Sequence, residues 1–352
     1  MTNKRVVVID GEDAAPEAMR PAVELIDSMS LGIDFERPLV GEAAREQAGS
    51  AFPDETRAAI DASDTTFFGS TSGASGAALF YLRWGKETYA NVRPTKYVAG
   101  YHSPLKNPEG IDFIIVRENL EDLYLGIEGD LQDIAGLNVT SRTARKPIAE
   151  LGVGKYAIKV ITREGTLRVV RKAFQLAERR AGKKRVTVTC KYNMLRISDG
   201  YFRDVAEEVS KEFPDIEFET FIVDDFCCRL ITMPQHFDVI VMPNLYGDIL
   251  SDGAAGLIGG LGLAASGCYG DDYAYFESAH GTAPDIAGMN IINPTATLLS
   301  GCMMLEYLGF EDAASSLEHA MVEVYREGRC LTPDQGGDAK TTEFCDAVRS
   351  HL

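Results

Sequence analysis

Short β-branched or apolar runs recur along this chain, at residues 6–9, 65–68, 113–116, 157–161, 186–189, 218–223 and 239–242, and between them lie amphipathic stretches such as 166–181 and 200–212. Alternation of this kind specifies an α/β protein with much parallel pairing, because parallel neighbours must be joined by a crossover segment. A chain of 352 residues is long enough for two domains and an ample core. Residues 126–149 are rich in Asp, Gly, Thr and Arg and lack helical periodicity, so they read as loops or an extended arm of the sort that serves oligomer contacts. From 251 to 308 the sequence turns small and apolar, which predicts closely packed helices. There is no internal repeat and no low-complexity linker.

The hydrophobic fraction of 45% is ordinary for a globular protein, and no apolar run approaches the roughly 20 residues that span a bilayer. The first ten residues read as a buried strand rather than an export signal. A net charge of −18 sets nucleic acid and anionic membranes aside as partners. Seven cysteines without a C-x-x-C pair predict reduced thiols in the cytoplasm and no structural zinc. In so acidic a chain, clustered arginines are informative.

The segment Asn-Leu-Tyr-Gly-Asp-Ile-Leu-Ser-Asp at 244–252 places Asp248 and Asp252 four residues apart, on one face if helical. Such a pair can share a hard divalent cation or complement a helix dipole, and spacing alone leaves both open. Arg83, Arg93 and Arg117 form a second group; Arg117 directly follows the run 113–116, where a guanidinium can grip a carboxylate bidentately or pair with surface acids. Tyr124, Lys191 and Asp224 form a third, with Lys191 at the end of the run 186–190, where desolvation can turn a lysine into a proton shuttle. The Gly- and Pro-dense stretch 276–294 carries Glu277, His280, Gly281, Asp285 and Asn293 and can wrap a nucleotide; a carboxylate there suits ribose hydroxyls and repels a 2′-phosphate. Gly260 to Ala265 loosely fits G-x-G-x-x-A but lacks the strand–turn–helix setting of a dinucleotide fingerprint, so it is discounted.

Together, and above all in 244–262 and 277–294, these motifs closely resemble the β-decarboxylating dehydrogenases of isocitrate, homoisocitrate, 3-isopropylmalate, tartrate and D-malate, from roughly Arg83 to the C-terminus. The resemblance implies a two-domain α/β fold, not a Rossmann fold, with the active site in the interdomain cleft: residues 1–97 plus 253–352 as the large cofactor-binding domain and 98–252 as the small one. It implies that Arg83, Arg93 and Arg117 hold the malate part of a hydroxy di- or tricarboxylate, that Tyr124 and Lys191 are the acid/base pair with Asn193 beside them, and that Asp224, Asp248 and Asp252 bind Mg²⁺ or Mn²⁺. Lys191 and Asp224 would serve the partner subunit of a homodimer or higher homo-oligomer. Glu277, His280, Gly281, Asp285 and Asn293 match cofactor-binding positions, and Asp285 stands where NADP-dependent relatives carry lysine, so NAD is the expectation.

Two departures matter. Where the family reads Gly-Asp-Gly-Ile-Gly-Pro-Glu, this chain has Gly-Glu-Asp-Ala-Ala-Pro-Glu at 11–17, so any backbone angle φ > 0 at the replaced glycines becomes costly. Ahead of Arg83, Ala77 and Leu79 replace the serine and asparagine of isocitrate enzymes; Leu79 is instead similar to isopropylmalate enzymes. The shortened, hydroxyl-rich loop 69–76, with Ser70 and Ser72, is expected to meet the substituent at C3, whether carboxylate, phosphonate, apolar or absent.

Overall fold

The computed structural model describes residues 3–352. Ten strands form one mixed sheet: β1 (Lys4–Ile9), β2 (Ile33–Glu36), β3 (Thr65–Phe68), β4 (Ala90–Lys96), β5 (Asp112–Glu118), β8 (Arg185–Cys190), β9 (Glu217–Ile222), β10 (Val239–Met242), β11 (Ala265–Tyr269) and β12 (Ala274–Ser278). A separate antiparallel ribbon pairs β6 (Glu128–Asp130) with β7 (Lys155–Ala157). The spatial order is β2-β1-β3-β12-β11-β4-β5-β10-β8-β9. Four parallel strands at one end (β2, β1, β3, β12) and four at the other (β5, β10, β8, β9) are joined by the antiparallel pair β11 and β4. Residues 6–9 and 239–242 are almost wholly buried, as strands covered by helices on both faces must be.

The apolar core follows the two ends of the sheet. One cluster gathers the helices Ala15–Ser28, Thr295–Leu308 and Glu311–Glu327 around Val6, Phe67 and Phe276. Another packs the helices Arg163–Arg179 and Ser198–Ser210 onto Val186, Val188 and Val241. The first of these helices starts three residues ahead of the expected stretch because the Thr162 side chain caps it, accepting from the Gly165 amide at 3.1 Å.

Three expectations need correcting. The run 157–161 is not a strand beyond Ala157; Ile158 and Val160 instead make single backbone links to Ile127 and Asp122, and no neighbouring strand is there to extend a ladder. The stretch 251–308 is not all helical, since it contains the hairpin β11–β12. These strands lie between neighbours and are buried on both faces, so they carry no alternating pattern. The segment 126–149 is not structureless: it holds β6, the helical turn Leu131–Ile134 and a bridge from Thr140 to Pro147.

Candidate active site

Asp248 and Asp252 lie one turn apart on the helix Asn244–Ile258, which crosses β4 and β5 at the joint of the sheet. On β4 the side chains of Asn91 and Arg93 share one face, as the two-residue period requires, and Arg93 reaches the helix. Its Nη1 donates to Ser251 Oγ at 2.7 Å and to Asp252 Oδ1 at 3.2 Å, and its Nη2 lies 3.5 Å from Asp248 Oδ1. Arg117, 1% exposed, donates through Nε to Asn244 Oδ1 at 2.8 Å and through Nη1 to Asp248. Tyr124 donates its hydroxyl to the other Asp248 oxygen at 2.5 Å, and its ring faces the Arg117 guanidinium at 5.0 Å. One carboxylate therefore collects two guanidinium groups and a phenol.

Electrostatics divide the acid pair. Burial works against ionisation of Asp248, but Arg117, with Tyr124 and Arg93, carries its pKa below the ordinary value. For Asp252, burial wins over Arg93, and its pKa rises. Burial and the bond to Asp248 push Tyr124 up, so its proton stays in place at neutral pH.

Lys191 and Asp224 form a pair of their own, with Nζ donating to Oδ1 at 2.5 Å and Asp224 67% exposed. That bond lowers the Asp224 pKa. The Lys191 backbone is fixed by Asp199, which accepts its amide at 2.7 Å. Asn193 lies in the turn that follows, beside Met194 and Ile197, both exposed. Among the described residues no three His, Cys, Asp or Glu side chains gather as a metal centre would require.

Arg83 sits in a π-helical turn, Tyr81–Gly85, that continues the short helix Gly76–Phe80 bearing half-buried Leu79. It donates to the Tyr275 hydroxyl at 3.2 Å and lies 3.7 Å from Glu277. Ser70 donates to the His280 carbonyl at 2.6 Å and lies 3.2 Å from the Ser278 hydroxyl, while the Ser72 amide donates to Glu12 at 2.8 Å. The altered N-terminal loop keeps its turn. Asp13, where the family has glycine, holds φ at 53°, and Ala15 is already helical. Glu17 accepts the amides of Gly288 and Asn290, tying this loop to the segment after Asp285.

His280, Gly281 and Asn293 come together around a cavity of about 450 Å³ whose walls also include Leu261, Gly262, Ile286 and Asp334. Asp285 stands exposed next to Ile286 at its edge. Asn293 is oriented by Asp334 at 2.9 Å and by the Thr295 amide at 2.9 Å. His280 Nδ1 meets the Gly281 carbonyl at 2.8 Å while Nε2 is buried without a partner, and burial lowers its pKa, leaving the imidazole neutral. The discounted glycine run does reach this cavity, through Leu261 and Gly262, but as a 3-10 turn after a helix rather than a phosphate loop. Sequence reasoning missed Asn244, Ser251 and Asp199, which orient the charged groups, and Asp334. Only Asn244 and Ser251 carried a signal, by lying in the motif itself.

A family model described as isocitrate/isopropylmalate dehydrogenase matches residues 5–348, so the similarity also covers the segment ahead of Arg83. The chain is 40% identical over 349 residues to a 3-isopropylmalate dehydrogenase of Archaeoglobus fulgidus, covering 99% of each. It is 39% identical to an isocitrate/homoisocitrate dehydrogenase of Thermus thermophilus, covering 98% of this chain and 97% of that one. The crystal structure of isocitrate dehydrogenase from Methylococcus capsulatus superposes with a TM-score of 0.87 at 38% identity, covering 99% of both chains.

Proposed function

The chain belongs to the isocitrate/isopropylmalate dehydrogenase family, and from an oxidoreductase acting on CH–OH we propose a specific reaction: NAD- and Mg²⁺- or Mn²⁺-dependent oxidative decarboxylation of an isocitrate-like 3-substituted (R)-malate to a 2-oxo acid and CO₂. The observation that carries this reading is the convergence of Arg93, Arg117 and Tyr124 on Asp248, one helical turn from Asp252. Oxygen ligands of this kind suit a hard divalent cation, and the buried, unpartnered Nε2 of His280 suits a polar group of an adenosine.

In this reaction Arg83, Arg93 and Arg117 hold the substrate carboxylates, and the fixed guanidinium planes orient C2. Asp248 and Asp252 would hold the metal together with Asp224 of a second copy. When bound, the metal would supply positive charge for the oxygen at C2, and a nicotinamide would take up the hydride. Lys191 takes the proton from the C2 hydroxyl, with Asn193 beside it. After CO₂ leaves, Tyr124 delivers its proton to the carbon that lost it. His280, Gly281, Asp285, Asn293 and Glu277 form the cofactor side, where Asp285 disfavours a 2′-phosphate.

The proposed domain division at residues 97/98 and 252/253 would put Asp252 and the end of β4 at the junction, with the substrate in the cleft between the domains. A homodimer is supported by the apolar surface along the 126–158 arm, where Val153 is 94% exposed and Leu137 and Val139 are also exposed. No described helix is long and apolar enough to cross a membrane, and seven cysteines outside any disulfide suit a reducing cytoplasm. A second substrate reading, 3-isopropylmalate, is favoured by Leu79 and Ala77 and by the anchoring of the Ser70 hydroxyl on His280. The presence of every acid, base and metal-ligand side chain argues against a non-catalytic subunit.

The test is NADH formation with Mn²⁺ on malates differing only at C3: isocitrate, homoisocitrate, 3-isopropylmalate, tartrate, D-malate and a phosphonomethyl analogue. Turnover of at least one, with NAD preferred to NADP, is the expected result. Absence of turnover with NAD binding intact would overturn the enzyme reading, and an NADP preference would overturn the role of Asp285.

A further inference from the structure

The hydroxyl-rich loop expected to meet the C3 substituent is held by one side chain that the motifs do not assign. Glu12 Oε1 accepts the Ser75 amide at 3.0 Å together with the Ser75 hydroxyl. Its Oε2 accepts the Thr71 hydroxyl at 2.6 Å and the Ser72 amide at 2.8 Å. Burial opposes ionisation, yet these four donors carry the Glu12 pKa below its ordinary value. The backbone adds to the same junction: Glu12 N donates to the Ser70 carbonyl and Ala14 N to the Thr282 carbonyl, both at 3.0 Å.

Ser70 is anchored on the His280 carbonyl, but beyond it the loop has only local turn bonds besides those to Glu12. Residues 69–76 contain three glycines and no large apolar side chain, so ordering them carries a large backbone-entropy cost with little apolar burial to offset it. Ser75 immediately precedes the helix Gly76–Phe80, which runs on into the turn that holds Arg83. The position of Ser75 therefore sets where Leu79 stands, while Arg83 is held separately by the Tyr275 hydroxyl and Glu277. Gly11 makes the approach feasible: a Cβ there would lie 2.4 Å from the Ser70 carbonyl oxygen.

We propose that Glu12 is a positioning residue that fixes the 71–75 loop, and with it Leu79, against the cofactor-side segment 278–282, so that it governs discrimination between substituents at C3 of the malate. The inference rests on the malate reading given above. No covalent step is assigned to Glu12; it acts through the loop.

The experiment uses the full-length enzyme with Glu12→Gln, Glu12→Ala and Glu12→Asp, each checked by thermal unfolding. KM and kcat are measured for the best 3-substituted malate and for D-malate, and amide exchange is followed at Ser72 and Ser75. Loss of hydrogen bonds to a charged acceptor predicts a rise in KM for the substituted malate of about tenfold or more in Glu12→Gln and Glu12→Ala. KM for D-malate, kcat and KM for NAD should move less than about twofold. Glu12→Asp, one methylene shorter, should fall between. Protection of the Ser72 and Ser75 amides should be lost in Glu12→Ala and at one of the two in Glu12→Gln, whose single amide oxygen still accepts. Equal losses on substituted and unsubstituted malates would reduce Glu12 to a general brace and overturn the proposal, as would unchanged KM values. Should no malate be turned over by the wild type, the malate reading fails, while retained protection of the two amides in Glu12→Ala would independently refute the clamp.

Discussion

At Asp13 an L-residue occupies a left-handed backbone angle, φ 53°, that the family pattern assigns to glycine. The cost is borne because the flanking residues hold the turn: Gly11 and Glu12 lie against Ser70, and Ala14 is bonded to Thr282. Asp13 itself is exposed, so a substitution there tests the backbone alone. Asp13→Gly should raise the unfolding free energy by about 0.5 kcal/mol, since aspartate tolerates this region better than most residues; Asp13→Val should lower it by about 1–2 kcal/mol. Urea unfolding monitored by circular dichroism measures both, and stabilisation by Val would contradict the assigned strain. The sequence pattern was sufficient to flag this corner as costly. What it could not convey was that the neighbouring Glu12 turns its side chain toward residue 75, because a hydrogen bond spanning about sixty positions leaves no local trace.

On the scale of elements, the helix Asn244–Ile258 must come very close to β5 for Asp248 to meet Arg117. Gly247 allows it: a Cβ at that position would lie 2.6 Å from both Cβ and Cγ of Arg117. Alanine normally improves a helix interior by about 1 kcal/mol over glycine. Here the clash should reverse the sign, so that Gly247→Ala lowers stability by about 1–3 kcal/mol. Displacing Arg117 and Asp248 together should also cut kcat/KM about 100-fold. Wild-type turnover in Gly247→Ala would show that the close approach is dispensable. The helix and its two acids were legible from spacing and small residues. The strands on either side were legible only in part, for β5 announces itself as an apolar run while β4, with Asn91, Arg93 and Pro94, does not. The hairpin β11–β12 escaped detection for the related reason that full burial erases the polar half of the pattern, although Gly270-Asp-Asp-Tyr273 between its strands is turn chemistry.

Across the whole molecule, the proposed catalytic groups fall into two sets of side-chain contacts: Arg93, Arg117, Tyr124 and Asp252 with Asp248 at the sheet joint, and Lys191 with exposed Asp224. Exposed Met194 and Ile197 follow Lys191 in sequence, so its neighbourhood offers apolar surface of the kind a second copy covers. If each site takes Lys191 and Asp224 from one subunit and Asp248 and Asp252 from the other, two inactive variants must rescue each other. Lys191→Ala and Asp248→Asn should each abolish turnover as homodimers. In a dimer of one of each, the chain that keeps Asp248 meets the chain that keeps Lys191 at one of the two sites. With random pairing about half the dimers are mixed, so coexpression should restore about a quarter of wild-type activity. Were Lys191 to serve its own subunit instead, each site of the mixed dimer would lack either Lys191 or Asp248, and no activity would return. Sequential affinity purification through different tags on the two coexpressed variants isolates the mixed dimers, so an inactive isolate would count directly against the shared site.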